Sequence, residues 1–342
     1  MSKVSVGLDI SSSSIKAVAL ATQDNLPKLV SLGSIGTPQP GISSDADVDL
    51  EAVATAIKRL FESAKINEKE VVGALPESKV FSRVVDDLPY LSDKELPAAI
   101  RYASEEFIPM PIVEVELNWQ ILSRPKEKTG RTMVFVVATP KLAVNKYIKI
   151  ANMAGLHLRA LETELIASTR SLVGNNPFSP TTLIIQLDAT TTDFAVVSKG
   201  LILLTRSIAT GGMALTRAIA QHFNFEINQA EQYKKVYGLL SDQLEGQVFK
   251  ALKEVVDVIM EETKRVIQAY GVKNPQNPIK RVVLSGGGAK LPGLVIYLAN
   301  NLGLEVQEAD PWYFVAKDKA LKSKLAEEAP IYTVAVGLAL RL

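Results

Sequence analysis

In the stretch GLDISSSSIK, Asp9 and four consecutive serines (Ser11, Ser12, Ser13 and Ser14) crowd carboxylate, hydroxyls and backbone N–H groups into one short turn between two apolar runs. Successive N–H groups in such a turn converge, and the hydroxyls donate as well, so the turn can wrap an anion. An ordinary serine turn closing a hairpin uses the same residues, and both readings are open from this stretch alone. The form returns in QLDATTTDFAVV, an apolar run, an acidic turn with Thr190, Thr191 and Thr192, and a second apolar run. A third stretch, LSGGGAKLPGL, places Gly286, Gly287 and Gly288 directly after an apolar run. Bare backbone there lets a flat ligand approach closely, or simply makes a turn. It is no G-x-G-x-x-G dinucleotide fingerprint, because Leu291 takes the place of the last glycine, and no G-x-x-x-x-G-K-[ST] phosphate loop occurs.

Composition removes other chemistries. The 342 residues contain no cysteine, which excludes disulfides, thiolate metal sites and cysteine nucleophiles. His157 and His222 are the only histidines, too few for a histidine metal cluster or an ordinary Ser-His-Asp triad. A formal charge of +1 gives no basic stripe for nucleic acid or an anionic membrane. No signal peptide is visible, and the apolar run YTVAVGLAL falls well short of the roughly 20 residues that span a bilayer. The expectation is a soluble, cytoplasmic chain of roughly two domains, not inserted in a membrane itself.

The elements that must position these turns follow from hydrophobic period. Val4, Val6, Leu8 and Ile10 alternate as a strand, Ile15 to Leu20 as its hairpin partner, and PKLVSLGSIGTP as a third. Leu50, Val53, Ile57, Leu60 and Phe61 share one helix face, and EVVGALPES gives a further strand. From Lys79 to about His157 the rhythm is that of a small inserted α+β unit: strand, helix over SDKELPAAIRYASEEF, strand, basic loop SRPKEKTGR, strand, helix. GNNPFSP breaks both helix and strand. After it the opening pattern repeats, which points to duplication with a cleft between the two turns. Helices over MALTRAIAQHF, from NQAEQYKKVYG and over GQVFKALKEVVDVIMEETKRVIQAYG follow, then the strand, glycine turn and helix of KRVVLSGGGAKLPGLVIYLANNLG.

The order D-x-S-x-S-x-x-K, second hydroxyl turn, E-x-x-K with a following glycine, and S-G-G-G resembles the actin and heat-shock chaperone ATPase superfamily. Within it the chain is similar, over nearly its whole length, to the PilM family, actin-like, FtsA-related proteins of type IV pilus assembly. The segments GLDISSSSIK, EEFIPMPIVEVE, DATTTDFAV, LSGGGAKLPGL and APIYTVAVGLALRL carry that similarity, FIPMP and GLALR most specifically. The resemblance implies an α/β, actin-like (ribonuclease-H-like) two-lobed ATPase fold with a duplicated core and an inserted α+β subdomain. Residues 1–78 would form the first-lobe core, 79–157 the inserted, partner-binding unit, and 158–176 the return to the first lobe. Residues 177–342 would form the second lobe, with a helical part at about 211–275. The implied cofactors are ATP and Mg²⁺. Asp9 would stand at the metal and phosphate end of the first hairpin, with Ser11, Ser12, Ser13 and Ser14 as phosphate donors and Lys16 reaching the phosphates. Thr190, Thr191 and Thr192 would serve the second phosphate turn, with Gly211 and Gly212 closing its back. Glu231 and Lys234 would hold the ribose, and Gly286, Gly287 and Gly288 would back the adenine. Glu164 matches the acid near the hydrolytic water, with a solvated helix glutamate as the alternative. The implied partner is the cytoplasmic N-terminal tail of a PilN-like membrane protein, which would hold the chain at the inner face of the cytoplasmic membrane. Other pilus components and self-association are open.

One departure bears on turnover. The superfamily's second hairpin starts with an aspartate two residues before a glycine, and here those positions are Gln186 and Asp188. On a strand the carboxylate keeps its face but moves roughly 6–7 Å. Gln186 carries no charge, and Asp188 either restores the metal contact or is a turn residue, so nucleotide binding with weak or no ATPase activity is expected. In the insert, Phe107, Ile108, Met110 and Ile112 surround two prolines. They form either a loop packed on its own helix or an adaptable groove wall for an extended peptide. The rival class is a sugar kinase or phosphatase on the same fold, but no base aspartate suited to a substrate loop stands out. FtsA ends in a linker and amphipathic membrane helix, whereas this sequence stops at GLALRL.

Overall fold

The computed structural model describes residues 4–23, 26–126, 129–174, 176 and 179–341. Glu127 and Lys128 of the basic loop, and Asn175, Pro177 and Phe178 at the expected boundary, lie outside them. The chain opens with β1 (Val4–Ile10), β2 (Ser14–Gln23), β3 (Leu26–Gly36), α1 (Asp47–Ser63) and β4 (Glu70–Leu75). It continues through β5 (Phe81–Pro89), α2 (Leu96–Ser104), β6 (Val115–Ser123), β7 (Arg131–Pro140), α3 (Lys141–Met153), β8 (His157–Thr163) and α4 (Glu164–Leu172). The second half runs β9 (Thr182–Leu187), β10 (Thr192–Ser198), β11 (Leu201–Ile208), α5 (Gly212–Phe223), α6 (Ile227–Tyr237) and α7 (Gln247–Lys273). It ends with β12 (Arg281–Ser285), α8 (Leu294–Leu302), β13 (Glu305–Glu308), α9 (Lys322–Glu327) and α10 (Thr333–Ala339).

Two five-stranded sheets have one topology, β3-β2-β1-β4-β8 and β11-β10-β9-β12-β13, which is the duplication the repeated hairpins predict. In each, the hairpin pairs are antiparallel and the last two strands parallel. A parallel neighbour requires a crossover, for which a helix serves. In the second sheet that helix is α8. In the first it is α3, which corrects the expected insert of 79–157: Tyr147, Ile150 and Ala151 of α3 fill the first core beside Val53, Ile57 and Leu60 of α1. The inserted unit proper is α2 with the sheet β5-β7-β6. Its helix is also shorter than SDKELPAAIRYASEEF suggests, beginning beside Pro97 and ending at Ser104.

The expected second lobe of 177–342 needs a similar correction. Trp312, Val315, Leu325, Ala335 and Ala339 pack on Val18 and Leu20 of β2, so the end of the chain returns to the first sheet. Conversely, Leu165 of α4 and Val173 just after it pack on Ile184, Ala195 and Val197 of the second sheet. The two helices meet between the sheets, where Ala167 of α4 packs with Val72 and Ala74 of β4 and Val334 and Leu338 of α10. Close approach there depends on missing side chains: a Cβ on Gly337 would lie 1.9 Å from the Ala167 carbonyl oxygen, and one on Gly7 would lie 2.1 Å from that of Ala335. Glu162 fastens the junction, binding Arg170 at 2.5 Å and Arg341 at 3.1 Å.

The remaining core follows the sequence pattern. Val248, Leu252, Val256, Ile259 and Val266 put one face of α7 against Leu183, Ile185 and Phe194. Strands β11 and β13 were not anticipated. LILLTRSI lacks alternation, and Glu305–Glu308 has only partial burial on one side; each is a strand because its neighbour pairs with it.

Candidate functional site

A cavity of about 730 Å³ opens between the two halves, lined by the first hydroxyl turn, by Asp188 and Ala189 at the head of the second, and by residues of α5, α6 and the glycine loop. The first turn is braced from outside. Ser11 Oγ donates to the Ser14 carbonyl at 2.9 Å, Thr37 Oγ1 to the Ser11 carbonyl at 2.7 Å, and Gln39 Nε2 to the Ser12 carbonyl at 3.1 Å. Ser11, Ser13 and Ser14 line the cavity, and Ser12 does not. Ser11 spends its hydroxyl proton on the turn itself.

Asp9 and Lys16 face each other across the β1–β2 pair and form a buried ion pair of 3.1 Å. Burial pulls the Lys16 ammonium down, but Asp9, Asp188 and Glu164 outweigh it and hold the pKa above the ordinary lysine value. Lys16 is therefore a fixed cation at the cavity floor. Asp9 Oδ1 is buried without a hydrogen-bond partner.

Glu164, 6% exposed, is the first residue of α4 and no solvated helix glutamate. Gln186 is buried beside it. Its Oε1 accepts from Ser168 Oγ at 2.7 Å, while Nε2 donates to Asp188 Oδ2 at 2.8 Å and to Glu164 Oε2 at 3.3 Å. Only the amide nitrogen can face two carboxylates, so the oxygen is turned away from the cavity. One oxygen each from Glu164, Asp188 and Asp193 lie within 4.8 Å of one another. Burial, followed by the charges of Asp188, Asp9, Asp193 and Glu77, pushes Glu164 well above the usual carboxylate range. Burial raises Asp188 to about 6 against the opposing effect of the Gln186 hydrogen bond and of Lys16. Burial raises Asp193 to about 8, opposed by a Ser207 hydrogen bond. Crowded carboxylates with two unpartnered oxygens, Asp9 Oδ1 and Asp193 Oδ1, fit a divalent cation, because hard Mg²⁺ takes oxygen ligands and offsets their repulsion.

These shifts make stability depend on pH. Between the ordinary carboxylate value and about 8, folded Asp193 keeps a proton that the unfolded chain has released. Stability therefore falls as pH rises through that window, by up to about 1.4 kcal/mol per pH unit for one proton. Asp193→Asn is expected to flatten the fall. Urea unfolding without divalent ions, from about pH 5 to about pH 8, checks it; a slope unchanged in the variant would show that Asp193 is ionised in the fold throughout.

The second turn is built differently from the expectation. Thr190 is exposed, Thr191 Oγ1 donates to Asp193 at 3.1 Å, and Thr192 is fully buried with Oγ1 on the Thr210 carbonyl at 2.6 Å. None of the three lines the cavity. Gly211 packs behind the turn, where a Cβ would come 2.5 Å from the Asp188 carbonyl oxygen, and Gly212 lines the cavity. Lys234 Nζ donates to the Gly212 carbonyl at 3.0 Å and to Thr216 Oγ1 at 2.8 Å, and pairs with Glu231 at 2.6 Å. Glu231 Oε2 also accepts from Thr216 at 2.6 Å, so the E-x-x-K pair is knit to the start of α5. In the glycine loop, Gly286 has φ +81° and Gly288 leaves room for Leu187, while a Cβ on Gly287 would meet nothing. Gly287 is the bare surface in the triplet. Ser285 Oγ, also on the cavity wall, is buried without a partner.

The expected partner residues separate. Ile108 is 5% exposed and fills a small core with Val115 and Ala138, so it is not a contact surface. Phe107, Met110 and Ile112 pack around it and remain partly exposed. Thr216, Ser285, Asp193 and Glu77 carried no sequence signal, since each is defined by neighbours distant in the chain.

Residues 7–342 match the family model described as Type IV pilus assembly protein PilM. A solved structure described as a PilM-PilN type IV pilus biogenesis complex is 28% identical, with a TM-score of 0.86 over 98% of each chain. The cell division protein FtsA of Enterococcus faecalis is 22% identical over 367 residues, covering 93% of this chain and 80% of that protein. MreB5 of Spiroplasma citri, solved bound to AMPPNP, shares the fold at 15% identity and a TM-score of 0.55, covering 98% of this chain and 95% of that one.

Proposed function

The chain belongs to the type IV pilus assembly protein PilM family, and from that premise we propose that it is an ATP-binding, actin-like adaptor of the pilus assembly platform. Its cleft takes ATP with Mg²⁺, and its inserted unit captures the cytoplasmic N-terminal tail of a PilN-like membrane protein. The observation that carries the reading is the cavity lining, where the Lys16–Asp9 pair lies beside Glu164 and Asp188 in one cavity with the open backbone of Gly287. Lys16 and the Ser13 and Ser14 groups would receive the phosphates, Asp9 and Asp188 would hold the metal, Glu164 would stand near the attacking water, and Glu231 with Lys234 would take the ribose. Bound Mg²⁺ supplies neutralising charge to the phosphate oxygens. Gln186 supports binding over turnover, because it places an amide donor where a further carboxylate would strengthen the metal site. Burial and the neighbouring carboxylates push Glu164 well above the usual carboxylate range, which disfavours the ionised form that activating water requires.

Among the described residues no helix is long and apolar enough to cross a membrane, so the tail would be the means of recruitment to its inner face. The test is fluorescence anisotropy with the N-terminal peptide of the PilN-like protein from the same organism. Met110→Ser with Ile112→Ser, which spares buried Ile108, is expected to weaken binding about tenfold. Affinity should change less than about threefold between low and physiological salt, because apolar burial dominates. Equal affinity in a folded variant would place the docking site elsewhere.

A further inference from the structure

Glu77 lies two residues beyond β4, where the chain leaves the first sheet for the inserted unit, and it is 6% exposed. Its Oε1 accepts from the Leu165 backbone N–H at 3.0 Å, at the start of α4. Thr163, the residue before the helix, accepts from the Ile166 N–H at 3.2 Å. The first turn of a helix has N–H groups with no partner in the helix. In α4 two of them are filled, one by the residue preceding the helix and one by a carboxylate from the root of the insert. Glu164 sits between Thr163 and Leu165, directly on this fastening.

Leu165 makes the same connection a second time through packing. Its side chain lies in one cluster with Phe135 of the insert and with Ile184, Ala195 and Val197 of the second sheet, and Val84 and Val137 of the insert pack against that cluster. The insert is also bonded directly to the second half. Ser82 Oγ lies 2.9 Å from Thr205 Oγ1, and Asp86 pairs with Lys273 at 2.6 Å. A shift of the insert against the sheets therefore acts on the start of α4 through a main-chain hydrogen bond and through the neighbouring side chain together. Packed interiors transmit such displacement because they do not compress.

We propose that Glu77 is a positioning residue, fixing Glu164 in the cleft and tying its place to that of the inserted unit, so that occupancy of the insert and of the cleft influence each other. The coupling rests on the function proposed above; the positioning of Glu164 does not. By linkage, if the tail changes nucleotide affinity by some factor, nucleotide changes tail affinity by the same factor.

Three variants test this. Glu77→Gln keeps an oxygen for the Leu165 N–H, Glu77→Ala removes it, and Glu77→Asp withdraws it by one methylene without opening the site, which keeps the measurement available if the alanine variant does not fold. Hydrogen–deuterium exchange over Leu165 and Ile166, without ligand, is expected to speed up about tenfold or more in the alanine and aspartate variants and to stay near wild type in the glutamine variant. A fluorescent ATP analogue with Mg²⁺ is then titrated with and without the tail peptide. In wild type and Glu77→Gln the two affinities should differ about fivefold or more, and in the other variants the ratio should approach one. A purely structural role would lower the melting temperature and leave that ratio alone. Wild-type exchange in the alanine or aspartate variant overturns the positioning, and a retained ratio alongside faster exchange overturns the coupling. If wild type binds neither probe, the functional reading fails, while the exchange result still decides the role of Glu77.

Discussion

Lys16→Ala is expected to weaken Mg-ATP binding about a hundredfold or more, the largest loss from any single side chain in the cleft. Lys16 lies among Asp9, Asp188 and Glu164, and its charge is what lets that acidic floor accept a phosphate. Removing it takes away one charge-assisted contact and leaves the carboxylates to repel the ligand. It also leaves Asp9 buried and unpaired, which should lower stability by about 3–5 kcal/mol, the usual penalty for breaking a buried pair from one side. Calorimetric titration beside thermal unfolding separates the two effects. A folded variant with wild-type affinity would show that phosphate does not reach Lys16.

Exchanging the residues at the head of the second turn should have the opposite sign. With Gln186→Asp and Asp188→Gly together, steady-state ATP hydrolysis is expected to rise about tenfold. The exchange leaves total charge unchanged and moves the carboxylate to the position that Gln186 now fills between Ser168 and Glu164. Ser168 Oγ, which donates to Gln186 Oε1, would donate to the new carboxylate. Glu164 would lose the amide that now caps it. The check is phosphate release at saturating Mg-ATP, with affinity measured in parallel. An unchanged rate at preserved affinity would show that position 186 does not limit the chemistry.

Much of this cleft was legible in the sequence because its parts are local. The Asp9 to Lys16 hairpin, the acidic second turn and the glycine triplet each declare themselves within about ten residues, and helix α7 declares itself by its stripe. What was not legible depends on distant partners. Helix α10, with its alanines and a glycine, has no amphipathic face to reveal that it crosses to the first sheet; the close fit of Ala335 on Gly7 of β1 decides that. Helix α3 reads as the end of the insert by position, yet a parallel β4–β8 pair requires it in the first core. Thr192 looked like a phosphate donor until strand pairing buried it, and Ile108 looked like a surface residue until the insert sheet closed over it. That Gln186 carries no charge is legible, but that its oxygen is occupied by Ser168, 18 positions away, is not. Glu77 carries no local signal because the backbone group it serves lies 88 positions away.

The central claim is that the cleft is a nucleotide site. Titration calorimetry of ATP into the wild-type protein, with and without Mg²⁺, tests it most directly. Saturable one-to-one binding that strengthens with Mg²⁺ and falls about a hundredfold or more in Lys16→Ala is expected. Absence of binding under both conditions, with the protein folded, would contradict it.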